Sequence, residues 1–233
     1  MEFNSLIAAA IGFAPPIALM LWTLQGYTYP KVERPYFSDP KLFGMFAVGI
    51  VVGIVMYALS SIFSFEYLIV GFALEEAVKL LIINMPRFQL RADTPFYGFG
   101  LGAGMASSLA FGSVNFALIN VGLDLVAIVP MIATSVLIAL LNISTATTIG
   151  MGVARGRPWP FFGQALVIHL ATVLLLYPLS QGGWLGYALF VVALVFIASY
   201  YWYLFRKLLP AYVREALRHL AKKKVKKGRR PAE

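Results

Sequence analysis

The chain has 233 residues, 60% hydrophobic and 12% charged, with a formal net charge of +9 and a mean hydropathy of +0.80. So few charges exclude an ordinary water-soluble domain, and helical spans of about 20 residues each leave no length for a separate soluble unit. The absence of cysteine excludes a disulfide, an iron–sulfur cluster, a thiolate zinc site and a catalytic thiol.

Seven apolar stretches follow one another, at roughly 4–26, 42–63, 66–85, 97–121, 125–153, 160–179 and 184–206. They predict an all-α polytopic transmembrane bundle of about seven helices over residues 1–208, followed by a basic tail, 209–233. Glu2 stands where a signal peptide carries its positive charge, so the first stretch is expected to be a retained helix, kinked at Pro15-Pro16. The connections Lys31–Pro40, Ser64-Phe65-Glu66 and Pro86–Pro95 are short, which predicts antiparallel neighbours.

Lys31, Arg34 and Lys41, then Arg87 and Arg91, then Arg155 and Arg157, then Arg206 and Lys207 all fall at one end of a seven-helix serpentine. The positive-inside rule makes that end cytoplasmic, with the N-terminus outside, in a multi-pass protein of the cell membrane. The run from Lys222 to Arg230 fits attraction to anionic membrane lipid better than a nucleic-acid site. Arg214, Glu215, Arg218 and His219 suggest a short interfacial helix, with His219 solvated.

The fourth stretch carries Gly98/Gly102 and Gly100/Gly104, two small-x-x-x-small pairs that let helices approach closely. They predict a central helix, packed against the third. The third stretch holds the most informative residues. Glu75 and Glu76 stand together in the apolar run Tyr67–Met85, where a carboxylate needs a partner or a wet cavity, and Lys79 follows one turn on. Depths reckoned at 1.5 Å per residue put Glu76 and His169 both roughly 14 Å from the basic ends of their helices, Asn142 near 18 Å and Asn115 near 27 Å. Ser144, Thr145 and Thr148 surround Asn142 with hydroxyls. Adjacent side chains on a helix diverge by about 100°, so one glutamate is expected to face a site and the other to pair with Lys79 or cap a neighbouring interaction.

The segment Leu74-Glu75-Glu76-Ala77-Val78-Lys79-Leu80-Leu81 resembles the E-E-x-x-K motif of the PrsW-like intramembrane proteases, relatives of the CAAX prenyl endopeptidases. Asp93-x-Pro95-x-Tyr97-Gly98 with the glycine-rich helix after it, and a lone histidine in a late helix, extend the resemblance over roughly Phe72 to Leu176. Two of that pattern's polar positions differ: Leu109 and Ala110 stand at its second-motif Glu-Asn, and Asn142 at its middle His. In the CAAX-type alignment, Asn115 replaces a histidine and Val173 an asparagine. The resemblance implies an integral membrane peptidase that activates water with glutamate and histidine. Its expected catalytic residues here are Glu75, Glu76 and His169, with an amide from Asn142 or Asn115 on the oxyanion and Lys79 as a supporting ion pair.

Zinc is weakly supported, because asparagine replaces imidazole poorly as a ligand, and no cofactor is expected. The site is expected to open toward the cytoplasmic half, and the partners are membrane lipids and a membrane-protein or peptide substrate. Two alternatives remain: a catalytically degenerate scaffold or substrate-binding subunit, and a small proton-coupled transporter using the same carboxylates.

Overall fold

The computed structural model describes residues 2–29, 31–32, 35–60, 68–180 and 182–228. Arg34 and the expected turn Ser64-Phe65-Glu66 lie outside the described residues, as do the side chains from His219 onward. The protein is all-helical among the described residues. Its elements are α1 (Glu2–Leu24), α2 (Asp39–Ser60), α3 (Leu68–Ile83), α4 (Thr94–Val121), α5 (Leu125–Ala154), α6 (Pro158–Ser180), α7 (Trp184–Tyr203) and α8 (Leu209–Gly228). A π-helical turn, Leu204–Leu208, joins α7 to α8 without a break.

Among the described residues six helices are long and apolar enough to cross a membrane, and α3, described over 16 residues, is shorter than these. Their outward faces carry Val51, Ile54, Val129 and Val195, all more than half exposed. Exposed β-branched residues on several helices suit hydrocarbon and would be costly in water.

The centre of the bundle is α4, in which every residue from Thr94 to Ser108 is buried. Its two glycine pairs are offset by two residues, about 200° around the helix, so they face opposite sides. On one side, a Cβ at Gly100 would stand 2.7 Å from the Leu42 carbonyl oxygen, and one at Gly104 would overlap the Phe46 carbonyl of α2. On the other, Cβ atoms at Gly98 and Gly102 would overlap the Ala146 and Asn142 carbonyls of α5. The partners of the central helix are therefore α2 and α5, with α1 packed at Gly12 against Phe111, and not α3 as the sequence suggested. The helix carrying the glutamates sits at the margin, mainly against α6 and α5. Without glycine pairs of its own it cannot approach a neighbouring backbone as closely.

The helix α1 runs on through Pro15 and Pro16. Proline has no N–H, so Pro15 leaves the carbonyl of Ile11, four residues earlier, without its helical donor. Ser135 Oγ of α5 donates to that carbonyl at 2.7 Å. Hydrocarbon supplies no donor, so a hydroxyl from a neighbouring helix is what allows the proline within the span.

All the described basic loops converge at one end. Leu90 N donates to the Val153 carbonyl at 3.3 Å, tying the α3–α4 loop to the end of α5. Arg155 pairs with Glu215 of α8 at 3.0 Å, and the Tyr212 hydroxyl reaches the Arg91 carbonyl at 3.4 Å. Leu209, Tyr212 and Val213 are buried, so the start of the basic tail packs against the bundle.

Candidate functional site

The site is built on three helices. From α3 come Glu75, Glu76 and Lys79, at spacings of three and four residues that bring the ammonium back over both carboxylates. Lys79 Nζ lies 2.6 Å from Glu76 Oε1 and 3.0 Å from Glu75 Oε1, and all three side chains are withdrawn from solvent. The helix α5 adds Thr145, whose hydroxyl accepts from Lys79 at 3.1 Å. The helix α6 adds His169, whose Nδ1 lies 2.6 Å from Glu76 Oε1. Glu76 and Lys79 are 0% exposed and His169 2%.

The two depth estimates from sequence thus place Glu76 and His169 in one layer, and their side chains touch. With Glu76 ionised, its Oε1 accepts from both Lys79 and His169, which puts an imidazole hydrogen on Nδ1 and turns Nε2 away from the carboxylate. The ring of Phe72 lies against the imidazole, centroids 5.0 Å apart.

The adjacent glutamates do diverge as their 100° offset requires. Glu76 turns into the bundle toward His169, whereas Glu75 helps line a cavity of about 440 Å³ together with Phe72, Asn142, Leu109, Ser113 and Val173. Both pair with Lys79, so the expected division, one glutamate for the site and one for the lysine, is replaced by a lysine shared between them. The cavity also draws on the last turn of α2 and the last turns of α6. It therefore occupies the half of the bundle remote from the basic loops, not the basic half expected from the sequence. The looser contact of α3 with α2 and α4 leaves the space there.

Asn142 belongs to this cavity, but its amide is turned in a particular way. Nδ2 donates to the Ile138 carbonyl of its own helix at 3.2 Å, and Oδ1 is buried without a partner. The free group is an acceptor, suited to hold a water or a substrate N–H rather than an oxyanion. Asn115 lies half-buried farther along α4, and no described contact joins it to the cluster. The remaining hydroxyls on α5 split: Thr148 meets the Tyr200 hydroxyl at 2.8 Å, while Ser144 Oγ is buried and unpartnered.

Glu75, Glu76 and His169 each offer a ligand atom within 4.8 Å of the others, the right donors for a divalent metal. The Lys79 ammonium, however, sits on the same oxygen, Glu76 Oε1, that His169 reaches. A cation on that oxygen would have to displace Lys79, so the donor set fits a metal poorly there while the lysine is in place, and the donor left over is Glu76 Oε2, buried without a partner.

Sequence reasoning missed Phe72 as the cover of His169 and Ser135 as the partner of the proline-freed carbonyl. The second had a signal: a serine in an apolar helix has to bond something, and a proline in another helix leaves a carbonyl free.

Fold and site together define a multi-pass helical membrane protein with a buried Glu–Glu–Lys–His cluster at the wall of a cavity. No protein-family model, curated protein or solved structure matches the chain.

Proposed function

We propose that this protein is an intramembrane peptidase of PrsW-like and CAAX-protease character, hydrolysing a peptide bond in or near the bilayer. The observation that carries this reading is Glu75 at the cavity wall, backed by a buried lysine and a glutamate-held histidine. Glu75 takes a proton from a water in the cavity, and the water oxygen attacks the peptide carbonyl carbon. Collapse of the tetrahedral intermediate breaks the C–N bond, and the leaving amine takes up a proton. That proton is the one Glu75 took from the water, passed on through His169 Nε2, which Glu76 orients, once Phe72 swings aside, so both side chains return to their starting states. Asn142 Oδ1 holds the water or a substrate N–H, and Lys79 keeps the carboxylates in place.

The test is cleavage of a fluorogenic membrane-peptide library by the purified protein. Glu75→Gln and His169→Ala are each expected to lower kcat/KM at least about 100-fold, the usual worth of a general acid or base. A chelator is expected to leave the rate unchanged, because the ammonium holds the position a metal would need. A second reading, a non-cutting scaffold or substrate-binding subunit, is favoured by the closure of the cluster: Lys79 engages both carboxylates and Phe72 covers His169. Absence of cleavage by the folded wild-type protein decides for it.

A further inference from the structure

A second recess, about 460 Å³, lies at the basic end of the bundle, far from the glutamates. It is bounded by the end of α1 with the turn after it, and by the junction of α7, the π-helical turn and α8. Two cations reach it, Lys31 and Arg206. Among the described residues neither pairs with a carboxylate, although Arg91 and Arg155 at the same end both do.

What holds Arg206 in place is aromatic. Its guanidinium lies 4.6 Å from the centre of the Trp202 ring and 6.0 Å from that of Trp22. Indole faces steady the cation while leaving its N–H edges unspent, and a guanidinium edge matches two oxygens of a phosphate. Beside it, Thr23 and Tyr201 share a hydrogen bond of 2.5 Å that fastens α1 to α7. The wider π turn carries Arg206 and Lys207 out past the last turn of the span.

The level of the recess identifies the occupant. Trp22 and Trp202 are each about half exposed at the ends of apolar helices, the usual depth of the headgroup region. Nearer the bilayer centre along the same two helices, Leu21 of α1 and Val195 of α7 are exposed and apolar. Unpaired cations at headgroup level above an apolar wall on the same two helices match a molecule with a phosphate at one end and acyl chains at the other. We infer that Lys31 and Arg206 form a binding site for the phosphate of an anionic phospholipid, with its acyl chains lying along α1 and α7. The site is independent of the peptidase reading and of the charged run beyond Lys222.

Native mass spectrometry of the full chain, released from detergent with phosphatidylglycerol or phosphatidylcholine, tests this. One phosphatidylglycerol is expected to be retained per chain, at least tenfold more tightly than phosphatidylcholine, and K31Q and R206Q are each expected to weaken it roughly fivefold. Neutralising Lys222, Lys223 and Lys224 to Gln leaves that molecule bound. Glycerol 3-phosphate alone is expected not to bind; binding as tight as the lipid's would make this a soluble-phosphate site and overturn the assigned occupant. Equal retention of the two lipids, loss of the bound lipid on neutralising the tail, or wild-type affinity in both variants would also overturn it. Lys31 lies exposed and outside the helices, so K31Q keeps the test decisive should R206Q fold poorly.

Discussion

At the scale of single residues, the costliest group in this protein is Lys79. It is fully buried, and two carboxylates and a hydroxyl are arranged about its ammonium, with the His169 imidazole on the far side of Glu76 Oε1. Removing one partner from such a cluster leaves the others uncompensated, at a typical cost of about 3–5 kcal/mol. Lys79→Met strands two buried carboxylates and is expected to be the most destabilising change. Glu76→Gln, which loses both Lys79 and His169, should follow, and Glu75→Gln should cost least because Glu75 borders the cavity. Reversible unfolding in mixed detergent measures that order, and an equal cost for the two glutamate variants would contradict the geometry. Ser135 offers a second residue-scale test. Ser135→Ala leaves the Ile11 carbonyl unpaired and is expected to cost about 1 kcal/mol. In a Pro15→Ala background the helix supplies its own N–H to that carbonyl, so the same substitution should cost less there. A double-mutant cycle reads the difference directly.

At the scale of helices, stability depends on how closely α4 approaches its two neighbours. Its neighbours' carbonyls occupy the space where side chains at Gly98, Gly102 and Gly104 would go. A methyl group there must push whole backbones apart, since a carbonyl cannot turn aside as a flexible side chain can. Gly104→Ala is expected to destabilise by about 1–3 kcal/mol, the usual cost of overpacking. Gly44 of α2 and Gly163 of α6 have open space where a Cβ would go. Alanine at either is expected to be neutral or to stabilise by up to about 1 kcal/mol through helix propensity alone. Thermal denaturation of the three variants side by side separates packing from propensity. Both glycine pairs were visible in the sequence, but not which helices they meet. The spacing of four marks a face, and two faces 200° apart mark a central helix; the identity of the helix against each face depends on how the others are ranged around it.

At the scale of the whole molecule, the arrangement of charge predicts an orientation that the lack of cysteine makes simple to test. In cells expressing single-cysteine variants, Leu123→Cys in the α4–α5 turn is expected to react with a membrane-impermeant maleimide from outside. Arg157→Cys, in the α5–α6 turn, should react only after lysis. The reverse pattern would invert the topology. If the prediction holds, the cavity beside Glu75 lies in the outer half of the membrane and the Lys31–Arg206 recess at its inner surface. A substrate would then approach the carboxylates from the side opposite the basic loops.

By itself the sequence determined the all-helical membrane class, the gathering of the described basic loops at one end and the buried Glu75, Glu76 and Lys79. Each of these depends on composition or on spacing along one helix, and the 1.5 Å rise even carried the depth match of Glu76 with His169 across two helices. Only the tertiary structure decided what depends on the rotation of helices about their axes. That set includes the placing of Glu75 at the cavity and Glu76 at His169, the unpartnered side-chain Oδ1 of Asn142, the separation of Asn115 from the cluster and the bond from Ser135 to the Ile11 carbonyl. A helix fixes how deep each side chain lies by its own geometry, but which way that side chain points is fixed by packing against residues distant in the chain.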